Sequence, residues 1–233
     1  MKLEVLPDAA AVAARAAALL AEEARAAASA RGRFALAVSG GRTPWIMLRA
    51  LAGETLPWEA VHLFQVDERV APAGHADRNL THLRESLSAD PRAARCTVHP
   101  MPVEDPDLAG AAARYAAELA AVAGSPPALD LVHLGLGADG HTASLVPGDA
   151  ALGVTDADVA LAGPYQGRAR MTLTYPALDR ARRLLWVVTG ADKAPVVPRL
   201  LAGDRSIPAG RVRSDRALLL ADAAAAGALA GAP

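Results

Sequence analysis

The sequence predicts an α/β protein with a mostly parallel sheet covered by helices on both faces. Two observations carry that expectation. Short apolar runs of strand length recur along the chain, and they alternate with stretches rich in helix-favouring Ala, Leu, Glu and Arg. No linker is long enough to divide the chain and no repeat period is visible, so residues 1–233 are expected to form one domain.

Residues 8 to 30 lack Gly and Pro and read as a helix, capped by Asp8 and closed by Arg31-Gly32. Phe34–Val38 reads as a buried strand that runs into Ser39-Gly40-Gly41-Arg42-Thr43-Pro44. Pro44 suits the first position of a helix continuing through Leu51. A strand, a glycine-rich loop and a helix N-terminus together favour an anion, because free backbone N–H groups and the helix dipole both attract negative charge. The competing reading is a tight turn with a Thr-Pro cap. The loop is not a Walker loop, since no Gly-Lys-Ser/Thr follows, and Ser39 does not sit in a Gly-x-Ser-x-Gly elbow.

Val61–Asp67 reads as the next strand, ending in the charged cluster Asp67-Glu68-Arg69. That cluster is either a solvated turn or a second functional strand end. A helix is expected over Arg78–Leu87, stopped by Asp90-Pro91, then a short strand over Thr97–Pro100 and an Ala-rich helix over 107–123. Leu131–Leu136 is apolar, bounded by glycines and too short for a normal helix, which makes it a buried strand. Residues 148–169 read as an irregular excursion with one strand at Val159–Leu161. Arg170–Thr174 alternates like a strand, Tyr175-Pro176 starts a short helix, and Leu184–Thr189 is buried. A helix is then expected past Lys193 to about Leu201, a last strand at Ala217–Ala221, and a fragment of helix in the alanine tail after Asp222.

The central strand ends in Gly135, Gly137 and Gly140 around Asp139 and His141. Ligands of open α/β sheets sit beyond the carboxyl ends of strands, so this stretch carries the chemistry. A dinucleotide fingerprint fits its glycine spacing but fails on context, because Pro147-Gly148 cuts the long helix that such a fingerprint requires. A metal site needs three or four ligands, and only Asp139 and His141 are offered locally, so no metal is expected. The remaining reading makes His141 a general acid or base in a sugar- or phosphate-binding cleft. Its bland competitor is a histidine that caps the turn.

Composition narrows the class. The chain is 52% hydrophobic but only 3% aromatic, so its core must be built from Leu, Val and Ala. A net charge of −1 gives no footprint for nucleic acid, and no uninterrupted apolar segment is long enough to span a membrane. Cys96 is the single cysteine, which fits a reducing compartment, and the N-terminus lacks the layout of a signal peptide. A cytoplasmic protein is expected, acting as a monomer or weak homo-oligomer. Of the 24 basic residues, all but Lys2 and Lys193 are arginine.

Five segments together resemble the 6-phosphogluconolactonases: Ser39–Pro44, Val66–Arg69 with Asn79 downstream, Leu134–Leu145, Arg170–Thr174 and Thr189–Ala194. The resemblance covers nearly the whole chain, and its central segment is the specific one. It implies a Rossmann-like α/β sandwich shared with glucosamine-6-phosphate deaminases. It also implies hydrolysis of 6-phospho-glucono-1,5-lactone to 6-phosphogluconate, the second step of the oxidative pentose phosphate pathway, with no cofactor. Carried over by residue, His141 becomes the base that activates water, with Asp139 beside it. The Gly40–Thr43 loop (Gly40, Gly41, Arg42, Thr43), Arg69 and Lys193 become phosphate and substrate contacts. Ser39, Asp67, Gly137 and Arg170 complete the expected substrate-binding set.

The chemistry fits without help from the resemblance. A lactone is an activated ester, so no covalent nucleophile is needed. Neutral His141 takes a proton from water, water attacks the carbonyl carbon, and the proton returns to the departing ring oxygen. Arg69 or backbone N–H groups would hold the oxyanion, and Asp139 would orient His141 or fix the loop. Two positions depart from the family pattern. Val146 replaces a common aromatic, and Arg78 puts an extra cation near the substrate mouth. The nearest rivals are isomerases or deaminases of the same fold, which resemble the chain at Asp-Gly-His but carry a glutamate where Val146 stands. A non-catalytic sugar-phosphate sensor would bring a helix-turn-helix and a basic surface, and neither is visible.

Overall fold

A computed structural model describes residues 1–229. Its frame is a seven-stranded sheet in the order β1-β10-β9-β6-β2-β3-β5. These strands are Lys2–Leu6, Ala217–Asp222, Leu184–Val188, Leu131–Leu134, Phe34–Val38, Val61–Gln65 and Thr97–His99. Every neighbouring pair in this sheet is parallel, so all its carboxyl ends reach the same rim. From β2 the chain builds outward through β3 to β5, then returns to β6 and builds the other way. The order therefore reverses between β2 and β6, which lie side by side, and that crevice is where open α/β sheets take ligands.

Alternation along each strand sorts the core into two layers. Phe34, Leu36 and Val38 face one way and join helices α1 (Ala9–Arg31), α2 (Arg42–Ala52) and α3 (Asn79–Leu87). Ala35 and Ala37 face the other way, toward α4 (Leu108–Ala123), α5 (Tyr175–Asp179) and α6 (Val197–Leu201). A second, three-stranded antiparallel sheet, β4-β8-β7, packs into this latter layer. Its strands are Asp67–Arg69, Arg168–Leu173 and Val159–Tyr165. Helix α1 is held at both ends as expected. Asp8 accepts from the Ala11 amide, and Gly32 closes the helix at φ 73°, where a side chain would be strained. No helix among the described residues is long and apolar enough to cross a membrane.

Several elements differ from the sequence expectation. Helix α2 begins at Arg42 rather than Pro44, and Pro44 lies in its first turn, where a missing N–H costs nothing. The run Val61–Asp67 is not one strand. The chain leaves the large sheet at Val66, whose amide donates to Val38 and whose carbonyl accepts from Leu173, and enters the small sheet at Asp67. The excursion 148–169 contains the full strand β7 and half of a hairpin. No single helix runs from Lys193 to Leu201, because Pro195 and Pro198 interrupt it. Lys193 ends a 3-10 turn, Ala191–Lys193, and α6 starts at Val197. Past Asp222 the chain makes a turn and a 3-10 turn, Gly227–Leu229, in place of the expected helix fragment, and residues 230–233 lie outside the described residues. Strand β1 was not anticipated. It is an edge strand whose Leu3 and Val5 are exposed, so it gives no burial signal.

Candidate active site

Of the residues expected at the site, Ser39, Gly40, Gly41, Arg42, Thr43, Asp67, Arg69, Gly137, His141, Arg170 and Lys193 line one cleft of about 720 Å3. The cleft sits over the crevice between β2 and β6 because the loops after those two strands form its floor. Asp139 does not line it. It lies behind His141, in an adjoining groove of about 490 Å3 that it shares with Val146.

The loop after β6 is folded around the pair Asp139 and His141. Oδ1 of Asp139 is 2.6 Å from Nδ1 of His141 and also accepts the His141 backbone N–H at 3.1 Å. Asp139 thus contacts both the ring and the loop backbone. Tyr165 donates its hydroxyl to the other carboxylate oxygen at 3.2 Å. Partial burial works to raise the Asp139 pKa, but the hydrogen bonds from His141 and Tyr165 outweigh it and hold the carboxyl below its ordinary value. An ionised Asp139 keeps the proton on Nδ1, which leaves Nε2 of His141 as an acceptor at the cleft. Gly137 is required here. A Cβ at that position would lie 2.0 Å from Nδ1 of His141.

The loop after β2 is tied down from below. The Ser39 amide donates to Nδ1 of His133 at 3.3 Å, and its hydroxyl donates to the His133 carbonyl at 3.2 Å. His133 is fully buried, and that burial pushes its pKa down to about 3, so it stays neutral. Gly40 admits the side chain of Asn79, whose Oδ1 would be 2.0 Å from a Cβ there. Thr43 shares a 2.6 Å hydrogen bond with Thr189, joining the start of α2 to the end of β9.

Four cations border the cleft. Arg42 is exposed at the first position of α2. Lys193 is half-buried, 2.9 Å from Asp192, on a loop anchored by Gly190 donating to Asp222 at 3.1 Å. Lys193 ends a three-residue turn and does not stand at the start of a longer helix. Arg69 and Arg170 are directly opposite one another across β4 and β8. Like charges paired this way repel, which favours an anion between or beside them. Asp67 offsets part of the charge at 3.8 Å from Arg170. Burial raises the Asp67 pKa, against a 2.7 Å hydrogen bond from Ser144 and the nearby Arg170.

The charged cluster after Val66 is therefore not a solvated turn. Glu68 is fully buried and accepts the Asn79 and Leu80 amides at 2.8 Å each, which caps the N-terminus of α3. Arg78 is corrected as well. It is buried, 3.2 Å from Glu68 and 2.7 Å from Glu104, and it borders neither the cleft nor solvent. Sequence reasoning missed Tyr165, Thr189, Asp222 and His133. Tyr165 had no local signal, because it lies in the stretch read as irregular. His133 was read only as part of a buried strand, although a histidine inside an apolar run is itself a signal that something needs its nitrogen.

Fold and cleft together define a class, the α/β proteins whose working site lies at the switch point of a parallel sheet. A family model described as glucosamine-6-phosphate isomerases/6-phosphogluconolactonase matches residues 7–220, and the chain belongs to that family. It is 36% identical to a 6-phosphogluconolactonase from Nostoc sp. over 97% of both chains. A solved 6-phosphogluconolactonase structure from Shewanella baltica superposes with a TM-score of 0.85 at 25% identity, covering 95% of this chain and 97% of that one. A monomeric glucosamine-6-phosphate deaminase superposes with a TM-score of 0.82 at 18% identity, covering 98% of this chain and 100% of that one, which extends the likeness of fold alone.

Proposed function

We propose that the chain is a 6-phosphogluconolactonase acting as one catalytic domain. It hydrolyses 6-phospho-glucono-1,5-lactone to 6-phosphogluconate, the second step of the oxidative pentose phosphate pathway. The observation that carries the reading is the pair Asp139 and His141, 2.6 Å apart, at the edge of a cleft bordered by four cations. Such a cleft suits a phosphorylated sugar lactone, and the lone cysteine of the chain suits a cytoplasmic reaction.

In this reading the phosphate lies against the backbone of Gly40, Gly41 and Thr43 at the start of α2, with Arg42 and Lys193 supplying charge. The lactone carbonyl then lies toward His141. Nε2 takes a proton from water as the oxygen attacks, and the imidazolium, held by ionised Asp139, returns that proton to the ring oxygen as the ester opens. Arg69 and Arg170 face the charge that develops on the carbonyl oxygen. His141 carries one proton from water to the ring oxygen and the acid product releases the other to solvent, so no covalent nucleophile is needed. Val146 supports hydrolysis over deamination. It adjoins Asp139 in the rear groove and has no group to exchange protons with His141.

The test is hydrolysis of freshly prepared phosphogluconolactone, measured against its spontaneous opening. The wild-type chain is expected to accelerate it, and His141→Asn to lose roughly two to four orders of magnitude in kcat with the fold intact. Near-normal turnover by the variant would remove His141 as the base.

A further inference from the structure

Tyr165 stands at the end of β7, where a two-residue turn leads into β8. Gln166 and Gly167 form that turn at φ 54° and 79°, left-handed at both positions, and Tyr165 pairs with Arg168 across it. A turn of this kind matches the twist of the strands and fixes the hairpin closely. The side chain is thus delivered from a stiff support to the boundary between the catalytic cleft and the rear groove, and it lines both.

Three contacts meet on this one residue. Its hydroxyl donates to Oδ2 of Asp139 at 3.2 Å, while Oδ1 of the same carboxylate holds His141. The carboxylate cannot rotate without breaking one bond or the other. Its ring meets the His141 ring edge-on, with centroids 5.2 Å apart at 62°. The Arg170 guanidinium sits 5.1 Å from its ring centroid and donates to its carbonyl at 3.2 Å.

We propose that Tyr165 is a positioning residue for hydrolysis, setting the orientation of His141 through Asp139 and linking that pair to Arg170. The proposal rests on the reading of His141 as the base. The hydroxyl draws charge from Asp139, which tempers how strongly the carboxylate stabilises the imidazolium. Without it, the carboxylate is free to turn and the His141 ring loses its fixed aim at the cleft.

Tyr165→Phe removes the hydroxyl and keeps the ring. Its kcat is expected to fall roughly three- to tenfold on phosphorylated and unphosphorylated lactone alike, with KM within about twofold. In an Asp139→Asn background the same change should add nothing, since it acts through Asp139. Tyr165→Leu, which also loses the ring contacts, should fall further than Tyr165→Phe. An unchanged kcat in Tyr165→Phe overturns the proposal, as does a loss confined to KM for the phosphorylated lactone or one that persists in full beside Asp139→Asn. His141→Asn separates the two readings. If it turns over normally, the base assignment fails and the proposal with it. If it is inactive while Tyr165→Phe behaves as wild type, only the proposal fails.

Discussion

Lys193 is one of two lysines in a chain that otherwise uses arginine. Its compact ammonium on a flexible stem suits a single anionic group, whereas a guanidinium fork demands a planar partner. Asp192, 2.9 Å away, holds the ammonium at the cleft and is itself kept below the usual carboxylate range by that contact. Lys193→Ala is expected to raise KM for the phosphorylated lactone on the order of 10- to 100-fold. Unphosphorylated gluconolactone should be affected far less, because it has no phosphate to lose. Equal losses on both substrates in steady-state assays would place Lys193 elsewhere in the reaction. His133 makes a second residue-scale test, of stability. Its pKa is about 3 when buried and the ordinary 6.5 when unfolded. Below 6.5 the unfolded chain therefore binds a proton that the folded chain refuses, and stability drains as pH falls from there toward 3. Between pH 7 and pH 5 the loss is about 2 kcal/mol. His133→Gln can still accept the Ser39 amide but does not titrate, so it should lose less stability over that interval in denaturant unfolding. Identical losses in both proteins would contradict the argument.

At the scale of elements, what could be read from the chain and what could not follow from where each partner lies. Leu131–Leu134 and Leu184–Val188 are buried on both faces, and apolar runs broken only by His133 announce that directly. The loops after β2 and β6 were legible because glycines and functional groups crowd a strand end within a few residues. Strand β4 was not, since Asp67-Glu68-Arg69 looks like a solvent-facing turn until β8 is known to lie against it. Asn79 enters the site only because Gly40 leaves room for it, a contact between loops far apart in sequence. The loop after β6 is also where backbone shape and chemistry are least separable. Gly137→Ala would drive a methyl group into the His141 ring. A displacement of about 1 Å in a reacting group costs roughly a hundredfold, so kcat should fall at least that far with little change in KM. A variant with wild-type kcat would show that the ring has another place to stand.

For the molecule as a whole, one sheet separates two packed layers, and the cleft is lined from its carboxyl rim, from the helix starts that follow it and from the small sheet beside it. The larger pattern was legible because alternating strands and helices leave few ways to bury both faces. The small sheet was not, because hairpin pairing such as Val159 with Leu173 depends on contacts that no window of sequence contains. The pairing of β1 with β10 has a consequence for how the protein is made. Lys2 lies beside Leu218, so β1 is synthesised long before the strand it pairs with. Asp222, which anchors the Lys193 loop through Gly190, emerges with β10. The nascent chain therefore carries its His141 loop long before it can hold the Lys193 loop in place. Competence arrives with β10, and a chain interrupted before it would carry the proposed base without the loop proposed to grip phosphate.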